Sequence, residues 1–281
     1  MAGPSDHVID IEIGILRPEV RLQLPAVEDS LPLARQALRS LGETVEADLE
    51  ALEDAELAVT EALANAVEHA YEESGSVHVS FSPREEEMLV SVRDFGRGMP
   101  DRDQIGDDAG YGLAMIEGIA RRVDIRGDEG TEIEMALALG VADTTTAVDG
   151  AAPGIQPAER ILRRVVAVVA AQVDMSVDRV MESLLVVELV ARHGLRYLVG
   201  DQAHVRLVRT EGAFDLRVGP FEESGALAVV RDSEVPVVGS VVERLADDIQ
   251  VERARVEDVD CEYLVLRLAT RTAEAHPSAD L

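Results

Sequence analysis

Glu61 and Asn65 stand one helical turn apart in the stretch Thr60-Glu-Ala-Leu-Ala-Asn-Ala-Val-Glu-His-Ala-Tyr71, and Asn65 is the only asparagine among 281 residues. All 26 basic residues are arginine, so the composition has drifted away from both Asn and Lys. An asparagine kept inside a helix, where it is a poor former, points to a chemical requirement. At about 100° per residue, Glu61, Asn65 and His69 line up between the small side chains of Ala58 and Ala62. Leu52, Val59, Leu63, Val67 and Ala70 form the opposite, core-facing stripe. A carboxylate and an amide oxygen on such a face suit a hydrated Mg²⁺ and a water or hydroxyl, although the same spacing also suits a plain solvated face.

Three further signals follow in order. Asp94-Phe-Gly-Arg-Gly-Met99 comes directly after an expected strand; a carboxylate there can accept an N–H, and its glycines let backbone approach a flat ligand. Gly110-Tyr-Gly-Leu113 opens a helix whose free N–H groups suit phosphate. Gly130-Thr131 leads into a last strand. Each is weak alone, and a Gly-rich loop is more often only a turn. The ordered set of four is specific.

The elements that must position these residues are legible by period. Residues 19–26 alternate as a half-buried strand does, and 29–42 carry a helical stripe. A long helix spans 48–71; strands are expected at 76–82 and 88–94, a helix at 112–122, and strands at 123–126 and 131–139. Helices and strands are segregated, which gives an α+β sandwich. Residues 141–156, small and polar with Pro153 and Gly154, read as a linker. The second half then repeats the order: helices 158–173 and 176–198, strands 203–209 and 213–219, a helix at 237–246, and strands 249–255 and 261–268. The expected organisation is a first domain over 1–140, a second over 157–269 and a flexible tail over 270–281.

The first half resembles the GHKL ATPases, and within them the anti-sigma factor serine/threonine kinases (RsbW/SpoIIAB type), over about residues 19–139. Glu61-x-x-x-Asn65 with His69-Ala-Tyr71 looks like the N-box, Asp94-x-Gly96-x-Gly98 like the G1 box, Gly110-x-Gly112-Leu113 like the G2 box, and Gly130-Thr131 like the terminal threonine motif. The resemblance implies a two-layer Bergerat sandwich of a mixed sheet with helices on one face, here in tandem duplication, and the cofactors ATP and Mg²⁺. Asn65 would bind the Mg²⁺, Asp94 would accept the adenine amino group, and Gly96, Gly98, Gly110 and Gly112 would shape the lid and meet phosphate. Leu113 would lie in the nucleotide site, and Thr131 would help hold the adenine edge. Glu61 would be the general base on a Ser or Thr hydroxyl. The implied partners are a STAS-type anti-anti-sigma protein as substrate and a sigma factor as captive. Two other readings are an ATP-gated binding module without turnover and the ATPase half of a histidine phosphorelay. Arg97 and Arg102, in a lid over about 99–109, would touch γ-phosphate or solvent. His69 would pack or cap locally.

The second half lacks these motifs. Counting back by about 127 residues puts Glu188 at the Glu61 position and Arg192 at that of Asn65, and a guanidinium cannot ligate Mg²⁺. Around Gly219-Pro-Phe-Glu-Glu-Ser no counterpart of Asp94 remains. A degenerate copy is expected, with Glu182, Glu188 and His193 in surface or structural roles. It would act as a built-in pseudo-partner, the alternative being a homodimer.

Composition bounds the rest. The net charge is −29, and residues 1–140 hold 31 acidic side chains against 11 arginines, which argues against nucleic acid and favours basic protein partners. No apolar run reaches the roughly 20 residues of a membrane span. The single cysteine, Cys261, fits a reducing compartment and a strand core. With no signal-peptide pattern at the start, a cytoplasmic protein is expected.

Overall fold

The computed structural model describes residues 7–98, 109–127, 130–140, 155–235 and 239–271. Strands β1 (Val8–Gly14) and β2 (Val20–Pro25) form an opening hairpin. Helices α1 (Leu31–Thr44) and α2 (Leu49–His69) follow, then β3 (Ser76–Pro83), β4 (Glu87–Asp94), α3 (Ala109–Ile119), β5 (Arg122–Arg126) and β6 (Glu132–Ala138). The second part runs through α4 (Ile155–Gln172), α5 (Val177–Gly194), β7 (Gln202–Thr210), β8 (Ala213–Phe221) and α6 (Gly225–Asp232). The short pair β9 (Glu234–Val235) and β10 (Gly239–Ser240) comes next, then α7 (Val241–Leu245), β11 (Asp248–Val256) and β12 (Val259–Ala269).

Ten strands make one sheet in the order β11-β12-β8-β7-β1-β2-β3-β4-β6-β5. The period-two pattern of each strand sets its register. On the face toward the helices, an apolar row runs Val205, Ile11, Leu22, Val79, Val92 and Ile133. The expected α+β class holds, but every pairing in this sheet is antiparallel, not mixed. The cause is connectivity: the chain crosses through α3 into the β5–β6 hairpin, whose second strand then returns antiparallel to β4.

The strand β1 was not anticipated, although Ile9, Ile11 and Ile13 alternate with Asp10 and Glu12 and are buried. It pairs with β2 on one side and β7 on the other, so both halves of the chain share one sheet. Arg164 on α4 reaches Glu43 on α1 at 2.7 Å, crossing the same boundary among the helices.

The turn between α1 and α2 is built a second time between α4 and α5. After α1, Val45, Glu46 and Ala47 donate to the carbonyls of Leu41, Glu43 and Gly42; after α4, Val173, Asp174 and Met175 donate to those of Val169, Ala171 and Ala170. Glu46 and Asp174 both take left-handed φ, at 55° and 56°, and Asp48 and Ser176 then cap the next helix.

Some boundaries differ from expectation. The linker stretch is helical from Ile155, residues 141–154 lie outside the described residues, and Thr270 and Arg271 of the expected tail bond to Gly212 and Asp247. In place of one helix at 237–246 there are two short ones, α6 and the five-residue α7; residues 236–238 lie outside the described residues. No described helix is long and apolar enough to cross a membrane. Cys261 is buried in β12, as expected.

Arg179 pins this second half together. It is 3% exposed and donates to Ala269 O, Leu245 O and Glu182, with Asp247 as a further carboxylate partner. Burial alone would raise the pKa of Asp247, but the Ala269 N–H and the charges of Arg179 and Arg271 bring it below its ordinary value. A depressed carboxylate stabilises the fold above its unfolded pKa, about 3.9, and loses that contribution as pH falls through the folded value. Arg179→Ala should therefore cost about 3 kcal/mol in urea unfolding at pH 7, and its deficit against wild type should shrink as acid removes the Asp247 charge.

Candidate functional site

Asp94 ends β4 on the helix-facing side, opposite Val77, and is 3% exposed. An ionised carboxylate there needs donors. Its Oδ1 accepts the N–H of Gly96 at 2.9 Å and that of Thr131 at 3.1 Å, and its own N–H donates to Thr131 O. Both donors depend on close backbone approach. A Cβ on Gly96 would lie 2.0 Å from Ala70 O, and one on Gly130, at φ +81°, would lie 2.2 Å from Asp94 O. Gly98, at φ +75°, sits against the carbonyls of Gly127 and Gly130.

The other wall comes from α2 and α3. Gly112 of α3 packs against α2: a Cβ there would stand 3.0 Å from Glu61 Oε2 and 3.5 Å from Asn65 Nδ2. At the far end of α3, Ile119 lines a 230 Å³ cavity with Asp48, Ala51 and Asp54, so α3 runs back antiparallel along α2. Ala58 and Ala62 are fully buried, which lets the helices approach, and Asn65 Nδ2 is buried with no hydrogen-bond partner. That orphaned amide is what a polar ligand would satisfy.

The C-terminus of α2 joins the two walls. Ala70 O accepts Arg97 N–H at 3.1 Å and His69 O accepts Arg97 Nε at 2.9 Å, a cation placed on the last helical carbonyls. Arg97 thus caps a helix here, and the side chain of His69 is exposed at its end. Gly110 lies in the first turn of α3, and Leu113, half-buried, packs against the hydrophobic core. The lid residues 99–108, with Arg102, lie outside the described residues. Tyr71, which the motif contained without a role, bonds both Ser76 O and Phe95 N.

The second half shows no such site among its described residues. The repeated turn displaces the chain by 128 residues, not 127, so Leu189 and His193 stand on α5 where Glu61 and Asn65 stand on α2. This corrects the assignment to Glu188 and Arg192, which lie one residue around the helix and pair with each other at 2.6 Å. Burial lowers the pKa of His193, and its Nδ1 has no partner. Glu182 joins Arg179 and Arg271, a structural role. At the end of β8, Phe221 is buried against Gly194 and Gly225; the nearest carboxylates are Glu222, next in the chain, and Glu262, opposite Phe221 on β12 and buried with its Oε2 unpartnered.

A buried strand-end carboxylate held by glycine-flanked N–H groups, facing a helix that carries a carboxylate and an amide, defines a nucleotide-binding α+β domain. Residues 24–137 match the family described as histidine kinase-like ATPase domain. The serine-protein kinase RsbW of Listeria innocua is 32% identical over 136 residues, 43% of this chain and 87% of that protein. RsbW of Halalkalibacterium halodurans is 26% identical over 149 residues, 48% of this chain and 92% of that protein. The chain belongs, through its first half, to the GHKL superfamily and within it to the RsbW-type serine-protein kinases.

Gly96 offers a direct check on the cradle. Gly96→Ala should displace Ala70 O, break the Arg97–Ala70 bond and cost about 2 kcal/mol or more. Gly118→Ala is the control: a Cβ there meets nothing within 4 Å, and the helix should gain a few tenths of a kcal/mol or more. Thermal unfolding of both variants measures the difference.

Proposed function

We propose that the chain is an ATP-dependent anti-sigma serine/threonine protein kinase of the cytoplasm. It would phosphorylate a STAS-type anti-anti-sigma protein and sequester a sigma factor. The observation that carries the nucleotide half of this reading is Asp94, whose Oδ1 is saturated by Gly96 and Thr131, leaving Oδ2 to accept the adenine amino group. The orphaned Nδ2 of Asn65 beside Gly112 is a donor that would suit a phosphate oxygen, and Asn65 Oδ1 is the atom that would hold Mg²⁺. Among the described residues no three His, Cys, Asp or Glu side chains converge as metal ligands. Mg²⁺ would therefore arrive with the phosphates and take Asn65 as its protein ligand, in keeping with its usual habit. Bound MgATP supplies the γ-phosphoryl group and the charge neutralisation that lets it leave ADP.

The chain's own part is to bind, orient and take a proton. Glu61, one turn from Asn65, accepts the proton of the partner's Ser or Thr hydroxyl as that oxygen bonds to phosphorus. The N–H groups at the start of α3, where Gly110 and Gly112 lie, face the phosphates. The match to RsbW kinases supports the protein-kinase reading and, through their name, a serine acceptor.

We read residues 157–269 as a degenerate copy of 1–140. The repeated helix turn and the sheet orders β3-β4-β6-β5 and β7-β8-β12-β11 support this. The copy would serve as an intrachain partner, joined through β1 and α4.

Calorimetry with MgATP should give one site per chain, and Asp94→Asn should weaken it at least tenfold, about 1.4 kcal/mol. A folded wild type that binds no nucleotide would sink the reading. Glu61→Gln should keep nucleotide affinity within about twofold while phosphotransfer falls about 10²–10⁴-fold. Capture of the partner without turnover in that variant separates kinase from binding module; a stable dimer by light scattering would count against the intrachain partner.

A further inference from the structure

The Tyr71 hydroxyl stands between two backbone groups from different parts of the site. It donates to Ser76 O at 2.6 Å, at the start of β3, and accepts the Phe95 N–H at 2.7 Å. A phenol has one proton, so donation to Ser76 leaves the oxygen as an acceptor for Phe95. Burial, with the nearby Asp94 charge, raises its pKa and keeps that proton in place. Its ring is set by packing, since a Cβ on Gly75 would come within 2.3 Å of it.

The Phe95 N–H belongs to the same peptide unit as the Asp94 carbonyl. That unit is gripped from opposite sides, by Tyr71 at the nitrogen and by Gly130 packed on the oxygen. Asp94 N and Asp94 Oδ1 are tied to Thr131 and Gly96. Tyr71 therefore holds the Asp94–Phe95 peptide through a side chain, where Gly130 holds it through backbone. The second half has neither element: the stretch after α5 reads Tyr197-Leu-Val, the Tyr197 hydroxyl goes to Asp232 on α6, and Leu198 bridges to Phe221 through backbone.

We propose that Tyr71 is a positioning residue for base recognition: its hydroxyl fixes the Asp94–Phe95 peptide so that Asp94 Oδ2 meets the amino group of adenine. This rests on the nucleotide reading above. The ring alone suffices for packing, and the hydroxyl is what the site requires.

The test uses the full chain, as wild type and as Tyr71→Phe, titrated with MgATP and with MgITP, which carries a carbonyl in place of the amino group. Wild type should prefer ATP about tenfold or more, and Tyr71→Phe should narrow that preference about three- to tenfold, the size of one lost hydrogen bond, with ITP affinity within about twofold. A variant that keeps the wild-type preference, or weakens both nucleotides equally, overturns the proposal. A wild type that binds both alike overturns it while leaving nucleotide binding in place; a folded wild type that binds neither removes both readings. Amide exchange in wild type covers a Tyr71→Phe that does not fold: the Phe95 amide should be protected about a hundredfold, and exchange at an open-loop rate would overturn the proposal.

Discussion

Beside the apolar row that crosses the sheet, Leu24 and Val77 line up with a carboxylate, Asp94, and an ionised group on that side costs several kcal/mol unless donors compensate it. Much of the first half follows from that requirement. Two N–H groups must reach Oδ1, so the chain after β4 must turn back at once and the approach to β6 must run alongside it. The turn brings Gly96 against Ala70 O with no room for a side chain, and the approach needs Gly130 at positive φ. Because Ala70 is the C-cap of α2, the same contact fixes where Glu61 and Asn65 end up relative to Asp94. One buried charge thus couples sheet, helix and loop.

The second organising element is β1. A sheet built from residues 20–138 alone would leave β2 as an open edge, and open edges invite pairing with other chains. Here β1 closes that edge and offers its far side to β7, with Asp10 and Arg206 paired across the junction. The match to the histidine kinase-like ATPase domain begins at residue 24, so β1 and most of β2 lie before it. The strand that joins the halves is therefore outside the segment matched to that ATPase domain.

How far the sequence revealed this depends on what kind of information each feature needs. Asp94, Gly96, Gly130 and Thr131 were legible because a carboxylate at a strand end and glycines at fixed offsets are local patterns, and the structure brings them together. Glu61 and Asn65 were legible from helical spacing. The hydroxyl of Tyr71 was not, since its partners, Ser76 and Phe95, are set by where β3 starts and β4 ends. The one-residue error that put Arg192 opposite Asn65 has a similar origin. Sequence matching counts from similar letters, whereas the helix phase is set by its cap, and Asp48 and Ser176 resemble each other only in accepting N–H bonds. Helix α6 buries Ala226, Val229 and Val230 at helical spacing, but its eight residues are fewer than the roughly 11 over which a period stands out in sequence.

The end of β8 is built differently from the end of β4. Where β4 ends in a carboxylate that must be cradled, β8 ends in Gly219-Pro-Phe221, and the Phe221 ring fills the space against Gly194, Gly225 and Val229 on α6. Apolar filling of that kind stabilises by roughly 1.5–3 kcal/mol per large side chain and requires no strained glycine donors. It also closes the space that a flat ligand would enter. Orphaned polar atoms are nevertheless found in both halves: Asn65 Nδ2 on α2 in the first, and His193 Nδ1 and Glu262 Oε2, the latter opposite Phe221, in the second.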